Sequence, residues 1–84
     1  MNSVKVKYRA HLAALTGVAE ETLEGRNVDD LLKSLEKKYG PEAGKTARTM
    51  LIALNSESIH LLKHFKTVLK EGDVVNFFPI CAGG

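Results

Sequence analysis

The strongest constraint in this chain is one long, one-sided helix. Val28, Leu31, Leu32, Leu35 and Tyr39 recur at spacings of three, four and seven residues, which lines a single face of a helix over 28–39. Asn27 suits the N-cap, Asp29 and Asp30 put negative charge in the first turn, and Lys37 and Lys38 put positive charge in the last. Gly40-Pro41 then stops the helix. Around it the pattern changes to that of strands. Val4, Val6 and Tyr8 alternate with Lys5, Lys7 and Arg9, a period of two that puts the apolar side chains on one face of a pleated strand. Glu20 to Glu24 reads as a second strand, although Leu23 is its only large apolar residue. Met50 to Leu54 is a continuous apolar run, expected as a strand buried on both faces. Val74 to Phe78 follows the turn Glu71-Gly72-Asp73 and is ended by Pro79, which cannot donate to a ladder.

The remaining segments are less regular. His11 to Leu15 reads as a short turn of helix or a loop, broken by Thr16-Gly17, and Pro41 to Thr49 as a polar, small-residue loop with at most one helical turn. Residues 56–70 mix two periods and are expected as a short strand followed by an irregular turn. The order strand, strand, helix, strand, short strand, strand makes this an α+β chain.

Length and composition narrow the function classes. Eighty-four residues allow one domain, and Leu, Ile, Val and Phe make up 24 of them, enough for a core. A domain of this size buries about 60% of its unfolded surface, so there is little room for an enclosed catalytic pocket. A binding or carrier role is favoured over a self-sufficient enzyme. The formal net charge of +2, with both signs dispersed, gives no field to concentrate nucleic acid. Apolar runs are too short to span a bilayer, so no membrane partner is expected. The single cysteine, Cys81, and the polar start Met1-Asn2-Ser3 point to a soluble, reducing, cytoplasmic setting.

The most unusual feature is the C-terminal stretch Ile80-Cys81-Ala82-Gly83-Gly84. A body over 1–80 and a flexible Gly-Gly tail over 81–84 are expected, because two glycines have no side chains with which to anchor themselves. Ile80 to Gly84 can span roughly 13 Å, enough to enter another protein's active site. The glycine carboxylate is the least hindered one a chain can offer. It is also a poor electrophile, so chemistry at Gly84 requires activation, ordinarily adenylation by an ATP-using partner.

The stretch Leu69-Lys70-Glu71-Gly72-Asp73-Val74-Val75-Asn76-Phe77-Phe78-Pro79-Ile80-Cys81-Ala82-Gly83-Gly84 closely resembles the end of the ubiquitin-like sulfur carriers of the MoaD/ThiS family, above all the small subunit of molybdopterin synthase. Leu54-Asn55 is similar to the Val-Asn pair that family carries in its middle strand. The resemblance implies a β-grasp fold: a mixed sheet of four to five strands packed on one main helix, with the first and last strands parallel neighbours in its middle. Val4, Val6, Tyr8, Val75 and Phe77 would then face the helix, while Lys5, Lys7, Arg9, Val74, Asn76 and Phe78 would face outward. It implies that an E1-like adenylating enzyme (MoeB/ThiF-like) uses ATP to adenylate Gly84, and that sulfur displaces AMP to leave a thiocarboxylate. That sulfur would pass to a pyranopterin precursor in the large synthase subunit (MoaE-like), building the dithiolene that holds molybdenum or tungsten.

On this reading Ala82 and Gly83 thread the partner's tunnel, Phe78, Pro79 and Ile80 form the docking base, and Cys81 is a small apolar tail residue. Arg9 falls in a partner-contact region where many family members have an aromatic. The chain itself holds no cofactor and no catalytic side chain. A ubiquitin-like modifier joined to lysines through Gly84, and a thiamine thiazole sulfur carrier, are the alternatives the same resemblance allows.

Three other patterns carry less. Gly40 to Thr46 looks like a phosphate loop but has one residue too few between its glycines and follows a helix. His60 and His64 have the spacing of a helical zinc pair, yet in a strand they would sit roughly 13 Å apart, and a third ligand is missing. Lys63, His64, Lys66 and Lys70 form a basic stretch, most simply a solvated face.

Overall fold

The computed structural model describes residues 2–80. Strand β1 (Asn2–Lys7) leads into helix α1 (Ala10–Thr16), strand β2 (Glu20–Gly25) and the main helix α2 (Val28–Tyr39). Helix α3 (Pro41–Arg48), β3 (Leu51–Leu54), β4 (Glu57–Ser58), 3-10 turns at Ile59–Leu61 and His64–Lys66, and β5 (Val74–Phe78) follow. The strands lie in the order β2-β1-β5-β3-β4, with β1 and β5 parallel and the other neighbours antiparallel. This is the mixed five-stranded sheet of the ubiquitin-like β-grasp, with its first and last strands adjacent.

The core forms where period two meets period 3.6. Val4, Val6 and Tyr8 of the first strand region and Val75 and Phe77 of β5 are buried against Leu31, Leu32 and Leu35 of α2. The expected N-cap is present: Asn27 Oδ1 accepts from the Asp30 N–H at 2.8 Å, and Asp30 Oδ2 accepts from the Arg26 N–H at 3.1 Å. These two bonds satisfy the backbone donors of Asp30 and Arg26 at the mouth of α2.

The inner face of β2 carries a polar hub. Glu21 lies across from Val6 in the ladder, so its carboxylate enters the layer between sheet and helix. There Oε2 accepts from the hydroxyls of Tyr8 (2.6 Å) and Tyr39 (2.7 Å), and Oε1 accepts from Lys38 Nζ (2.6 Å). One acid thus joins the outer strand, the neighbouring strand region and the last turn of α2.

The largest correction concerns 41–49, expected as a loop. Pro41 occupies the first turn of α3, where its missing N–H costs nothing and its fixed φ suits a helix. Gly40 makes the joint at φ +102°, a value that L side chains rarely adopt. The buried face of α3 is Ala43, Gly44 and Ala47, small residues that carry no visible apolar stripe. They allow a close approach to α2: a Cβ on Gly44 would stand 2.9 Å from Glu36 Cβ. The stretch read as a helical turn or loop after β1 is the seven-residue α1, which buries Leu12 and Thr16 one turn apart and ends at Gly17.

Elsewhere the sequence expectation is refined. β3 starts at Leu51 instead of Met50, and it buries Ile52 on the inner face and Ala53 on the outer. Asn55 and Ser56 join β3 to β4 with positive φ at both positions, +51° and +86°. That is a type I′ hairpin turn, in which the second central position favours glycine. Ser56→Gly is expected to stabilise the protein by about 1 kcal/mol, raising Tm by about 4–8 °C. Thermal unfolding checks it, and an unchanged or lower Tm counts against the turn assignment. The side chain of Asn55 also reaches β5: its Oδ1 accepts from the Val74 N–H and its Nδ2 donates to Asp73 Oδ1, both at 2.9 Å. It therefore extends the β3–β5 pairing past the end of the ladder.

Candidate functional site

Because β1 and β5 run parallel and side by side, their C-terminal ends emerge at the same end of the sheet. Arg9, just beyond β1, and Phe78, the last residue of β5, are thereby brought together on the face opposite α2. The Arg9 guanidinium lies 4.4 Å from the centroid of the Phe78 ring, and its Nη1 donates to Asn76 Oδ1 at 2.9 Å. Stacking on an aromatic face and a hydrogen bond together hold a flexible side chain in one orientation. No carboxylate pairs with Arg9 among the described residues, so the charge is presented and not neutralised.

The register defines the rest of this face. Phe78 stands across from Leu51, Asn76 across from Ala53 on one side and Lys7 on the other, and Val74 across from Lys5. The surface therefore changes from apolar at β3 and β5 (Leu51, Ala53, Val74, Phe78) to charged at β1 and β2 (Lys5, Lys7, Glu20, Glu24). Lys5 and Glu20 pair at 3.4 Å, both half exposed, an interaction worth little to stability. An apolar strip with a border of mixed charge, and with Arg9 at its end, suits recognition of a protein surface.

Of the residues picked out by sequence, the structure places Arg9, Phe78, Pro79 and Ile80. Pro79 ends the ladder and is exposed, and Ile80 is 58% exposed, a large apolar residue facing solvent at the root of the C-terminal stretch. Cys81, Ala82, Gly83 and Gly84, and the flexible tail expected there, lie outside the described residues. The outward orientation of Lys5, Lys7, Arg9, Val74, Asn76 and Phe78 agrees with the alternation. Sequence reasoning did not connect Asn76 to Arg9. Its only signal was a polar residue between Val75 and Phe77, and the partner is 67 positions away.

The other patterns resolve as follows. The segment resembling a phosphate loop is the start of α3, where Pro41, Glu42, Lys45, Thr46 and Thr49 line an open depression. His60 and His64 are not in a strand; the two 3-10 turns fold back and bring their rings to 5.0 Å between centroids. The separation of roughly 13 Å that a strand would impose is therefore overturned. Among the described residues, no three or more His, Cys, Asp or Glu side chains gather as a metal would require. No helix of the described residues is long and apolar enough to cross a membrane.

Comparison with known proteins bears on the same residues. The model of the ThiS family matches residues 6–84. The solution structure of small archaeal modifier protein 1 from Methanosarcina acetivorans superposes with a TM-score of 0.86 at 31% identity, covering 100% of this chain and 98% of that one. A candidate molybdopterin converting factor subunit 1 from Pyrococcus furiosus gives a TM-score of 0.75 at 33% identity, covering 94% and 98%. A chain of the Amycolatopsis orientalis BexX/CysO complex gives 0.83 at 19% identity, covering 96% and 99%, which extends the likeness in fold. None of the curated proteins matches the chain significantly. A β-grasp body whose first and last strands pair, together with a family match that runs through to Gly84, makes this chain a member of the ThiS family of ubiquitin-like carriers and modifiers.

Proposed function

We propose that this protein is a sulfur carrier whose working group is the Gly84 carboxylate. The observation that carries the reading is the build of the sheet's exit: Phe78, Pro79 and Ile80 lead out beside a fixed Arg9 guanidinium, four residues before Gly84. An E1-like partner of the MoeB/ThiF kind attacks ATP with this carboxylate, forming an acyl adenylate and releasing pyrophosphate. A sulfur nucleophile then displaces AMP and leaves a thiocarboxylate on Gly84. The chain's own residues supply docking: Phe78, Pro79 and Ile80 as apolar contacts, Arg9 as an oriented cation, and Cys81, Ala82 and Gly83 as a slim lead into the partner's channel. The pyranopterin precursor, held by a MoaE-like large subunit, is the sulfur acceptor favoured by the likeness to the Pyrococcus protein.

Intact mass spectrometry tests this after incubation with a cognate adenylating enzyme, ATP and a sulfide donor. The expected result is the mass gain of one sulfur replacing one oxygen, abolished by deleting Gly84. A full-length protein that stays unmodified while the enzyme consumes ATP on its own authentic carrier overturns the proposal.

The likeness to the archaeal modifier favours a second reading, in which the activated Gly84 carboxyl is joined to lysine amines of other proteins. Gly-Gly remnants on cellular lysines, lost when Gly84 is removed, distinguish it from sulfur delivery.

A further inference from the structure

The connection between β4 and β5 has a surface that the carrier chemistry leaves unused. Six large apolar side chains lie exposed among the described residues, and four of them, Leu61, Leu62, Phe65 and Val68, fall in this connection. Leu61 is 76% and Val68 65% exposed. Isolated exposed apolar residues are ordinary on protein surfaces, but four within eight positions are a cluster and not a scatter.

The segment is not loose chain that has failed to pack. Ile59, Thr67 and Leu69 are buried and anchor it. Thr67 Oγ1 accepts from the Lys63 N–H at 3.0 Å, the Val28 N–H donates to Thr67 O at 3.0 Å, and the Leu69 N–H donates to Arg26 O at 3.0 Å. A frame tied to the start of α2 thus turns Leu61 and Val68 outward and leaves Leu62 and Phe65 partly exposed beside them.

Charge is segregated in the same place. Ile59 to Lys70 contains three lysines and two histidines and no acid. Lys5, Arg26, Lys33, Lys38 and Arg48 each pair with an acid of this chain, whereas Lys63, Lys66 and Lys70 make no ion pair among the described residues. The other unpaired cations, Lys7, Arg9, Lys37 and Lys45, are dispersed over β1, the link after it, α2 and α3. Uncompensated positive charge around exposed apolar groups is complementary to an acidic surface that carries apolar groups of its own. Three lysines fall short of the clusters of roughly four to eight that mark anionic-lipid binding, and the fixed turns give a shaped surface, so a protein is favoured over a membrane.

We infer that residues 59–70 are a docking surface for an acidic, apolar segment of a protein partner, separate from the face that bears Arg9 and Phe78. The segment starts beside β4 and crosses to Arg26 and Asn2, at the end of the sheet opposite the exit of β5, so a partner seated there leaves that exit open. The inference stands whether or not Gly84 carries sulfur.

Photo-cross-linking in cells tests it, with a benzophenone amino acid at Leu61 and, as a control, at Thr22 on β2. The expected result is a discrete protein adduct at Leu61 and not at Thr22, mapped by mass spectrometry to an acidic stretch. With that protein purified, Lys63→Glu/Lys66→Glu and Leu61→Ala/Val68→Ala should each weaken binding about tenfold or more, with an unchanged Tm, and added salt should weaken the wild-type complex. Sedimentation with phosphatidylserine vesicles runs in parallel. Absence of a discrete adduct, an adduct to a neutral or basic stretch or to a second copy of this chain, affinity indifferent to both variants, or binding to vesicles alone overturns the inference.

Discussion

Phe77→Ala is expected to cost about 3–5 kcal/mol, the range for removing a fully buried aromatic ring. Phe77 is completely buried on β5, packed 6.0 Å from the Tyr8 ring between centroids and facing the apolar stripe of α2. A domain of 84 residues has roughly 4–13 kcal/mol of stability in all, at about 0.05–0.15 kcal/mol per residue. The substitution therefore removes a large part of it, and the urea midpoint should fall steeply. Its immediate neighbour should behave oppositely. Phe78 faces the open side, where its ring meets the Arg9 guanidinium, so Phe78→Ala should cost only about 1 kcal/mol. On the proposed carrier function, the same change should slow thiocarboxylate formation about tenfold or more, because an aromatic and an oriented arginine are the residue types that dominate docking energies. Urea unfolding and the rate of sulfur loading separate the two. Equal losses of stability in both variants would mean that the inward and outward faces of β5 are misassigned.

The second large effect is expected at Glu21. Burial alone would raise its carboxyl, but the hydrogen bonds from Lys38, Tyr8 and Tyr39 outweigh that and hold it below the ordinary value of 4.5. The Tyr8 hydroxyl is pushed far upward, first by burial and then by the carboxylate that it faces, and so remains a donor. Glu21→Ala leaves that buried hydroxyl without its acceptor and should cost about 2–3 kcal/mol near pH 7. Because the folded carboxyl titrates below the unfolded one, its contribution is complete above the ordinary value and is lost as pH falls through the folded one. The stability gap between wild type and Glu21→Ala should therefore be wider at pH 7 than at an acid pH below 4.5. Denaturant titrations at the two pH values check this, and a gap of the same size at both would show that the acid is not held ionised by its partners.

The sequence declared those parts of the fold in which one face is apolar and the side chains are large. The stripe of α2 and the alternation of β1 and β5 were legible for that reason, and with them the side of the sheet on which Phe78 lies. Helix α3 escaped notice because Ala43, Gly44 and Ala47 make their contribution by being small, and a close helix contact leaves no hydrophobic period. Glu21 was unreadable for the opposite reason. An acid in a strand reads as a solvent-facing position, and only the arrival of Tyr8, Tyr39 and Lys38 from two other elements makes an inward carboxylate tolerable. Arg9 was legible as an outward residue. Its fixed orientation was not, because Asn76 and Phe78 reach it only through the parallel pairing of strands from opposite ends of the chain. His60 and His64 show the same limit, since their proximity depends on two reversals of the chain that no period announces.

The pairing of β1 with β5 also ties folding to the synthesis of β5. Lys5 meets Val74 and Lys7 meets Asn76, so β1 gains its parallel partner only after every other strand of the sheet has been synthesised. A prematurely terminated product that stops before Val74 lacks both the ladder that joins β1 to β3 and the inward ring of Phe77. Such fragments stay open and are left to proteolysis. Every molecule that attains the native shape has thus been translated through β5.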